Sequence, residues 1–450
     1  MFSQFFEPES VAIIGASKKP LKVGHELLKN IIDGNFPGKI YPINPAADEI
    51  LGLKCYPSIL DVKEPVDLAV VVVPAQAVPE AIKQCGEKGT KAVVVISAGF
   101  SEIGNKALEE EVVRIARQYG VRIIGPNCTG IINTHRNLYA TMESRAGRGD
   151  IAFVTQSGAL GGAVLAWAIE KGIGLSKFAS YGNACDVDES DLLNYLADDP
   201  QTKVITLYIE GVKNGRKFFE AAKNVTRKKP LIAIKGGLSK AGARSVASHT
   251  GSLAGNEAIY RTVFKQSGII EADGIEEMFD MARALAYLEP MKGDKVAILT
   301  NSGGPAVLAT DALERLGLKV PEPPEKIVKA LDFLPPVCSR KNPIDLTAEG
   351  SPEAYVKAFR ALFSEEYYDA GLIIDVPIAW DARGATEAAK LLTEAIREVG
   401  KPTVVCWMSG HLVRDAVAVF EENKIPNYET PKRAAKALWA LYSFKRVTSP

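Results

Sequence analysis

One short segment rich in glycine and hydroxyl side chains surrounds a histidine in this sequence. The segment SVASHTGSLAG covers residues 245–255 and places His249 between Ser248 and Thr250. A histidine that serves packing is more often found among apolar residues at helix or strand spacing. Neutral imidazole is a good phosphoryl acceptor near pH 7. His249 is therefore a candidate nucleophile for phosphoryl transfer.

A phosphorylated histidine is highly charged and needs amide dipoles around it. The segment TQSGALGG places Gln156, Ser157 and Gly158 at a strand-to-helix turn, where successive backbone amides can point at an anion. The alternative is that Ser157 only caps the helix. Because the strand PLIAIKGG precedes the His249 loop, we expect that loop at the same carboxyl edge of the sheet.

An attacking imidazole is aimed when a carboxylate accepts the hydrogen bond of its other ring nitrogen. Glu210 closes the strand VITLYIEG and is positioned to do this. Asp186, Asp188 and Glu189 are rival carboxylates, but their spacing predicts the negative first turn of a helix. The other histidines have no comparable surroundings and are assigned to surface or core positions: His25, His135 and His411.

A second candidate site follows the first predicted strand, in the loop IGASKKPLKVG. It lacks GxGxxG spacing, and no acidic residue follows the next strand, KIYPINP, so an NAD site is disfavoured. Gly15 and Ala16 allow close backbone approach, and Ser17 offers a polar contact. Three lysines lie near the predicted helix start: Lys18, Lys19 and Lys22. The loop suits a multiply phosphorylated ligand such as coenzyme A. The alternative is that these lysines belong to a solvated loop that binds no ligand.

The segment GPNCTG, residues 125–130, follows the last strand of the first series. Ligands of open α/β sheets bind at this carboxyl edge, so Asn127 and Cys128 are predicted to face the ligand. Cys128 is equally compatible with a small buried filler. It receives no catalytic role, because nothing in the sequence indicates a lowered thiol pKa.

Composition limits the class of protein. A chain of 450 residues is too long for one hydrophobic core. The chain has 54 Lys and Arg residues and 54 Asp and Glu residues. It therefore has no net positive charge that would attract nucleic acid or an anionic membrane. The six cysteines show neither CxxC pairs nor metal-ligand spacing, and no apolar run has membrane-spanning length. We expect a cytoplasmic protein with no metal, membrane or nucleic-acid partner.

Short β-branched runs alternate with helix-length amphipathic segments, which predicts an α/β protein with parallel sheets. The first series has strands VAIIG, KIYPIN, LAVVVVP, AVVVIS and VRIIG, with helices near 24–33, 78–88 and 105–119. This pattern is typical of a Rossmann-like doubly wound domain. The polar segment NTHRNLYATMESRAGRGD interrupts the rhythm, and a new series opens at Ile151.

An internal similarity relates the second and third series. IAFVTQSGALGGAVLAWAIEKGIGL and VAILTNSGGPAVLATDALERLGLKV both contain a strand, Thr-x-Ser-Gly, a helix and a strand. We interpret them as two related flavodoxin-like doubly wound domains, convergence on common turn chemistry being the alternative. The linker EPMKGDKVAILT marks the second boundary. The predicted domains are 1–128, 129–289 and 290–450.

Seven motifs occur together and in order along nearly the whole chain: GAS…VG, GPNCTG, QSGALGG, IEG, SHTGSLAG, NSGG and NPIDLT. With them the chain resembles the α subunit of ADP-forming acyl-CoA (acetyl-CoA) synthetases, relatives of succinyl-CoA synthetase. The resemblance implies a CoA-binding domain at 1–128, a ligase domain with a phosphohistidine loop at 129–289, and a second flavodoxin-like ligase domain in subunit contact at 290–450.

The resemblance also implies the reversible conversion of acyl-CoA, ADP and phosphate to acid, CoA and ATP. His249 would carry the phosphoryl group, Glu210 would orient it, and Gln156, Ser157 and Gly158 would bind phosphate. The implied coenzyme A contacts are Gly15, Ala16, Ser17, Lys19, Lys22, Pro74, Asn127 and Cys128. The resemblance further implies an ATP-grasp β subunit that binds the nucleotide with Mg²⁺, in an α2β2 assembly. The chain itself shows no Walker GxxxxGK(S/T) loop.

Several alternatives remain open. Ala184 and Cys185 depart from the expected pattern, so the acyl group is undetermined: acetate, succinate, a branched acid or an aromatic acid. A nucleotide-dependent oxidoreductase would bind NAD but not coenzyme A. A non-catalytic CoA-sensing or scaffold protein would keep the loop at 15–24 yet never phosphorylate His249.

Overall fold

The computed structural model describes residues 2–244, 256–347, 350–377 and 382–448. The predicted nucleophile His249 lies outside these residues. The chain divides into two compact units, Met1–Ala272 and Asp273–Pro450. The N-terminal unit contains two large sheets and the C-terminal unit contains one. The division into three domains stays a prediction.

The first sheet of the N-terminal unit is parallel, and every predicted strand and helix of this series is confirmed. Its strands are β1 Ser10–Ile14, β2 Lys39–Ile43, β5 Leu68–Val71, β6 Ala92–Val95 and β7 Arg122–Ile124, while β3 Glu49–Ile50 and β4 Leu53–Lys54 form a separate ribbon. The order is β2-β1-β5-β6-β7. The flanking helices are Val23–Asp33, Val78–Lys88 and Lys106–Tyr119, with short helical turns at Ser3–Phe6, Ile59–Asp61, Ala75–Ala77 and Ser101–Ile103. Strands β1, β5 and β6 are buried along their whole length, as expected of strands covered on both faces.

The second sheet of this unit has seven strands. They are β8 Gly130–Asn133, β9 Leu138–Thr141, β10 Arg148–Thr155, β11 Leu175–Ser180, β12 Val204–Ile209, β13 Leu231–Lys235 and β14 Ile270–Glu271. Their order across the sheet is β14-β13-β12-β10-β11-β8-β9. The helices of this series are Gly158–Glu170, Glu189–Asp198, Gly215–Thr226 and Glu257–Ser267, with a short turn at Thr134–Arg136.

Strand β9 was not predicted, because it lies in the polar segment that interrupts the sequence pattern. It pairs antiparallel with β8, and β8 pairs antiparallel with β11. Leu138 and Ala140 belong to the hydrophobic core and are fully buried. Two apolar residues in so polar a stretch give too weak an alternation to indicate a strand. The strand predicted from Ile151 also begins earlier, at Arg148.

The C-terminal unit contains a parallel sheet of four strands. They are β15 Val296–Thr300, β16 Ile344–Asp345, β17 Ala370–Asp375 and β18 Thr403–Trp407, in the order β16-β15-β17-β18. Its helices are Ile275–Tyr287, Gly303–Arg315, Glu325–Ala330, Pro352–Leu362, Ala382–Val399, Arg414–Glu422 and Pro431–Thr448, with a short turn at Gly410–Val413. In the ranges that the structure describes, no helix combines the length and the apolar character needed to cross a bilayer.

The predicted similarity of the second and third series extends to their local geometry. Helices Gly158–Glu170 and Gly303–Arg315 each contain 13 residues and begin after a serine in extended conformation. The side-chain oxygen of Gln156 accepts a hydrogen bond from the Glu210 backbone N–H, on the neighbouring strand end, at 2.7 Å. The side-chain oxygen of Asn301 accepts the equivalent bond from Val376 at 3.0 Å. The same strand, turn and helix therefore occur once in each unit.

Candidate active site

A cavity of about 650 Å³ lies at the carboxyl ends of the strands in the N-terminal unit. Residues from both of its large sheets line this cavity. It brings together six predicted site residues: Asn127, Cys128, Gln156, Ser157, Gly158 and Glu210. Carboxyl edges of parallel sheets are the usual place for ligands in α/β proteins. The cavity is therefore the candidate active site.

Gln156 links the ends of two neighbouring strands. Its backbone N–H donates to the Tyr208 carbonyl oxygen at 3.0 Å. Its side-chain oxygen accepts from the backbone N–H groups of Glu210 and Gly211 at 2.7 and 2.9 Å. The expectation that the Gln156 backbone amide points at an anion is therefore wrong, because that donor is already engaged with β12. Gln156 instead holds Glu210 beside the turn.

The turn that follows Gln156 leads into a helix and leaves two N–H groups without an acceptor among the described residues. Ser157 has extended dihedral angles and precedes helix Gly158–Glu170, and its Oγ accepts from the Leu160 N–H at 3.4 Å. No described residue accepts a hydrogen bond from the N–H groups of Ser157 or Gly158, as is usual in the first turn of a helix. A Cβ on Gly158 would lie 2.7 Å from Thr129 Cγ2. Anion binding by these two amides stays a prediction.

Glu210 is a buried carboxylate that faces the cavity from the end of β12. Its side chain is 9% exposed, and the Tyr208 hydroxyl donates to Oε1 at 3.3 Å. Lys235 ends the adjacent strand β13, with its ammonium 4.7 Å from the centre of the Tyr260 ring. Burial lowers the pKa of Lys235, an effect that the charge of Glu210 opposes. The predicted contact between Glu210 and His249 remains a prediction.

Asp188 and Glu189 form the helix start that the spacing of the rival carboxylates predicts, whereas Asp186 lies before it. The Asp188 side chain accepts from backbone N–H groups in the first turn of helix Glu189–Asp198, and Asp191 completes a capping box. Asp186 Oδ2 accepts from the Arg122 Nε–H at 2.8 Å. The residues that line the cavity include neither Asp186 nor Asp188. Glu210 is accordingly the carboxylate best placed for chemistry in this cavity.

Glu189, the first residue of helix Glu189–Asp198, carries a buried carboxyl group that does not line the cavity. Its side chain is 2% exposed, and no described residue forms a hydrogen bond with Oε1. Burial disfavours the charged form and raises the pKa of Glu189 to about 7. Asp188 adds to this increase, whereas Lys217 opposes it. Glu189 is therefore expected to titrate near neutral pH.

Replacing Glu189 with glutamine should remove a pH-dependent loss of stability. The folded pKa is raised, so the stabilisation by the neutral form is fully present below about pH 4.5 and is lost as the pH rises through 7. Ionisation of the buried group then costs up to about 3 kcal/mol. Urea unfolding should show the advantage of Glu189→Gln over the wild type growing between about pH 5 and pH 8. An advantage that does not change with pH would contradict this assignment.

The glycine-containing loop after β1 packs tightly against the helix that follows it. Gly15 has φ +99°, and a Cβ on Gly24 would lie 2.1 Å from the Gly15 carbonyl oxygen. The Ser17 carbonyl oxygen is 3.0 Å from His25 Nδ1, and Ser17 Oγ accepts from the Lys19 N–H at 3.1 Å. His25 is 7% exposed and therefore takes the core position among the two, surface or core, that the sequence left open. The side chain of His25 thus supports the loop.

The other predicted coenzyme A contacts of this region differ in accessibility. Ala16 is fully buried, so only its backbone is available to a ligand. Lys19 and Lys22 are exposed, and neither forms an ion pair with a described carboxylate. Pro74 is exposed beyond the end of β5. None of these residues, nor Gly15 or Ser17, lines the 650 Å³ cavity, and their contact with coenzyme A stays a prediction.

Cys128 is part of the cavity wall but is poorly suited to react. Its side chain is 3% exposed, and Sγ donates to the Val95 carbonyl oxygen at 3.3 Å. Burial raises the pKa of Cys128 to about 12. A thiol with that pKa is protonated near pH 7 and is a weak nucleophile. Its environment therefore agrees with the absence of a catalytic role.

Sequence reasoning missed a polar network in the cavity wall. Asn183 contacts Glu102 and Glu109 through its Nδ2 at 2.6 and 2.9 Å, and Asn127 through its Oδ1 at 3.2 Å. Two carboxylates and Asn127, all from the series of the first sheet, thereby meet Asn183, which follows β11 of the second sheet. Asn183 is more than 50 positions from each of the other three residues, so no local motif indicates the network.

Comparison with known families divides the sequence among three matching models. The CoA binding domain matches residues 9–134, and the Succinyl-CoA ligase like flavodoxin domain matches residues 148–285. The Ligase-CoA domain matches residues 296–449. The predicted fold class is thereby confirmed: an α/β protein with an N-terminal CoA-binding domain followed by flavodoxin-like ligase domains.

Two curated relatives cover almost the whole chain. The α subunit of acetate–CoA ligase [ADP-forming] II of Pyrococcus furiosus is 46% identical over 446 residues, which is 98% of this chain and 97% of that protein. The α subunit of isoenzyme I from the same organism is 44% identical over 451 residues, with the same two coverages. The chain belongs to the family of α subunits of ADP-forming acetate–CoA ligases. The predicted resemblance and the assignment to the ligases are thus confirmed.

A solved structure of this ligase family shows the same fold. It is described as the dinucleotide forming acetyl-coenzyme A synthetase 1 of Ca. Korarchaeum cryptofilum in complex with phosphate and ADP. The TM-score is 0.95 at 40% identity, and the match covers 100% of this chain and 97% of that one. This α subunit therefore shares the architecture of that ligase over its full described length.

Proposed function

We propose that this chain is the α subunit of an enzyme that reversibly converts acyl-CoA, ADP and phosphate to acid, CoA and ATP through a phosphorylated His249. The cavity is the observation that carries the proposal. In it, the buried carboxylate of Glu210 and the amides of Ser157 and Gly158, which have no acceptor among the described residues, lie with Asn127, which follows the last strand of the CoA-binding sheet. The cavity thus supports the proposal with amides suited to bind an anion, an acid suited to orient an imidazole, and the edge expected to bind coenzyme A.

In the first step, a phosphate oxygen attacks the thioester carbonyl carbon. The C–S bond breaks, the sulfur takes a proton from phosphate, and acyl phosphate and free CoA result. The N–H groups of Ser157 and Gly158, at the positive end of a helix, are suited to bind the phosphate charge. Fixed amide dipoles stabilise developing negative charge without reorganisation during the reaction.

In the second step, a ring nitrogen of His249 attacks the phosphorus of the acyl phosphate. The bond from phosphorus to the acyl oxygen breaks, and the carboxylate leaves with both electrons. Glu210 accepts the hydrogen bond from the other ring nitrogen and so stabilises the positive charge that forms on the imidazole. Gln156 supports this role, because it holds the Glu210 backbone at the turn.

The phosphoryl group then passes from His249 to ADP and yields ATP. We assign ADP and Mg²⁺ to an ATP-grasp β subunit, in an α2β2 complex in the cytoplasm. The related structure that holds phosphate and ADP supports the use of both substrates. The names of the curated relatives favour acetate as the acid.

Separating the subunits tests this division of labour. The purified chain alone should bind coenzyme A but should not form ATP from acetyl-CoA, ADP and phosphate. Addition of the β subunit should restore ATP synthesis. Calorimetry measures the first property and a coupled ATP assay measures the second. ATP synthesis by the rigorously purified single chain would contradict the two-subunit proposal, and binding of NAD instead of coenzyme A would contradict the assigned ligand.

A further inference from the structure

Asn183 is the centre of a hydrogen-bonded chain in the cavity wall. Its Nδ2 donates to Glu102 Oε2 at 2.6 Å and to Glu109 Oε2 at 2.9 Å. Its Oδ1 accepts from Asn127 Nδ2 at 3.2 Å. Ser101 Oγ also donates to Glu109 Oε2, at 2.6 Å. Two acids from the loop and helix after β6 therefore fix an amide that follows β11.

The two carboxylates determine which way both amides face. An ionised carboxylate accepts hydrogen bonds and donates none, so only the NH₂ group of Asn183 can face Glu102 and Glu109. Burial opposes ionisation of Glu102, but hydrogen bonds from the Gly99 N–H and the Asn183 side chain outweigh it and lower the pKa of Glu102. Asn183 must consequently present its oxygen to Asn127. Asn127 must in turn present its NH₂ group to Asn183.

This arrangement leaves the side-chain oxygen of Asn127 available. Asn127 lines the same cavity as Glu210 and Ser157, and no described residue donates a hydrogen bond to its Oδ1. We propose that Glu102, Glu109 and Asn183 are positioning residues that hold Asn127 Oδ1 toward the cavity, where it accepts a hydrogen bond from the thiol of coenzyme A. This inference rests on the proposed function and assigns roles to three further residues.

The thiol is the hydrogen-bond donor that suits this position. It is the reacting end of coenzyme A, so it must lie near the phosphate amides of Ser157 and Gly158 and near Glu210. A hydrogen bond from S–H to Asn127 directs a sulfur lone pair away from Asn127 and toward the acyl carbon. A neutral amide does not remove the proton, so Asn127 orients the thiol without acting as a base. Acyl-CoA has no S–H, and its affinity should not depend on this bond.

Desulfo-CoA, in which hydrogen replaces the thiol group, isolates the contact. Calorimetry on the full chain should show that the wild type binds CoA about threefold to tenfold more tightly than desulfo-CoA, the range expected for one hydrogen bond. The double variant Glu102→Gln/Glu109→Gln should lose this preference. The amide introduced at position 102 keeps its oxygen on the Gly99 N–H and turns its NH₂ group to Asn183, so both asparagines reverse. Asn127 then presents NH₂ to the cavity.

Adding Asn183→Asp to the double variant should restore the preference. The new carboxylate accepts from both introduced amides and from Asn127 Nδ2, so Asn127 Oδ1 again faces the cavity. A purely structural role of the network does not predict this recovery. Glu111→Gln, on the exposed face of the same helix as Glu109, is the matched control and should keep the wild-type preference.

Several results would overturn the inference. Equal affinity of the wild type for CoA and desulfo-CoA is one, and an unchanged preference in the double variant is another. Failure of the folded triple variant to recover the preference would also reject it. Asn127→Ala provides a test that does not alter the buried acids, and a retained preference in that variant would contradict the role of Asn127. Absence of CoA binding by the wild type would instead reject the proposed function.

Discussion

Replacing His249 with alanine should lower ATP synthesis by the assembled enzyme by several orders of magnitude. The variant lacks the only proposed phosphoryl acceptor, and loss of a covalent nucleophile has effects of that size. Affinity for coenzyme A should stay near the wild-type value, because the predicted contacts Gly15 and Ser17 follow β1 of the first sheet and the substitution does not change them. The rate of ATP formation from acetyl-CoA, ADP and phosphate measures the loss, and calorimetry measures the affinity.

Two further variants at histidine positions serve as a second test and as a control. His249→Asp should also be inactive, because its carboxylate is shorter than imidazole and already charged beside the amides of Ser157 and Gly158. His411→Ala changes an exposed histidine of the C-terminal unit and should leave the rate unchanged. ATP synthesis by His249→Ala at a rate close to that of the wild type would show that His249 is an ordinary loop residue.

Replacing Glu210 with glutamine should slow phosphoryl transfer roughly a hundredfold, the lower range for loss of a positioned acid or base. Glutamine keeps the size of the side chain, and the backbone bond from residue 210 to Gln156 does not involve the carboxylate. The charge that stabilises the imidazolium is lost, while the CoA-binding sheet is unchanged. Single-turnover transfer from acetyl phosphate should fall, and the CoA affinity should remain near that of the wild type.

The control for Glu210 is a second buried glutamate. Glu189→Gln removes a carboxyl group that does not line the cavity, so the rate of phosphoryl transfer should stay near that of the wild type. Equal losses of transfer rate and CoA affinity in Glu210→Gln would mean that Glu210 has a structural role. A normal transfer rate in that variant would remove Glu210 from the mechanism.

The parts of the fold that the sequence predicts are those with dense local patterns. Strands such as Leu68–Val71 and Ala92–Val95 are continuous apolar runs, which mark buried parallel strands. The acidic start of helix Glu189–Asp198 is equally local, since Asp188 caps it within three residues. Strand β9 was not predicted because only two of its apolar residues, Leu138 and Ala140, are in the core.

The site was predictable only where residues follow strand ends. Glu210, Ser157 and Asn127 each come directly after a predicted strand or turn, and the parallel sheets bring them to one cavity. The engagement of the Gln156 amide with Tyr208 depends on the pairing of β10 and β12, which no local pattern shows. The contacts of Asn183 with Asn127, Glu109 and Glu102 span 56 to 81 positions, so only the folded chain shows them.

Direct mapping of a transferred phosphoryl group tests the central claim. The chain is incubated with acetyl phosphate that carries radioactive phosphorus, and the labelled residue is identified after proteolysis. We expect a phosphoramidate on His249 that acid hydrolyses and alkali does not, with no label on His249→Ala. Label on another residue, including an acid-stable phosphoserine at Ser248 or Ser252, would contradict the proposed role of His249.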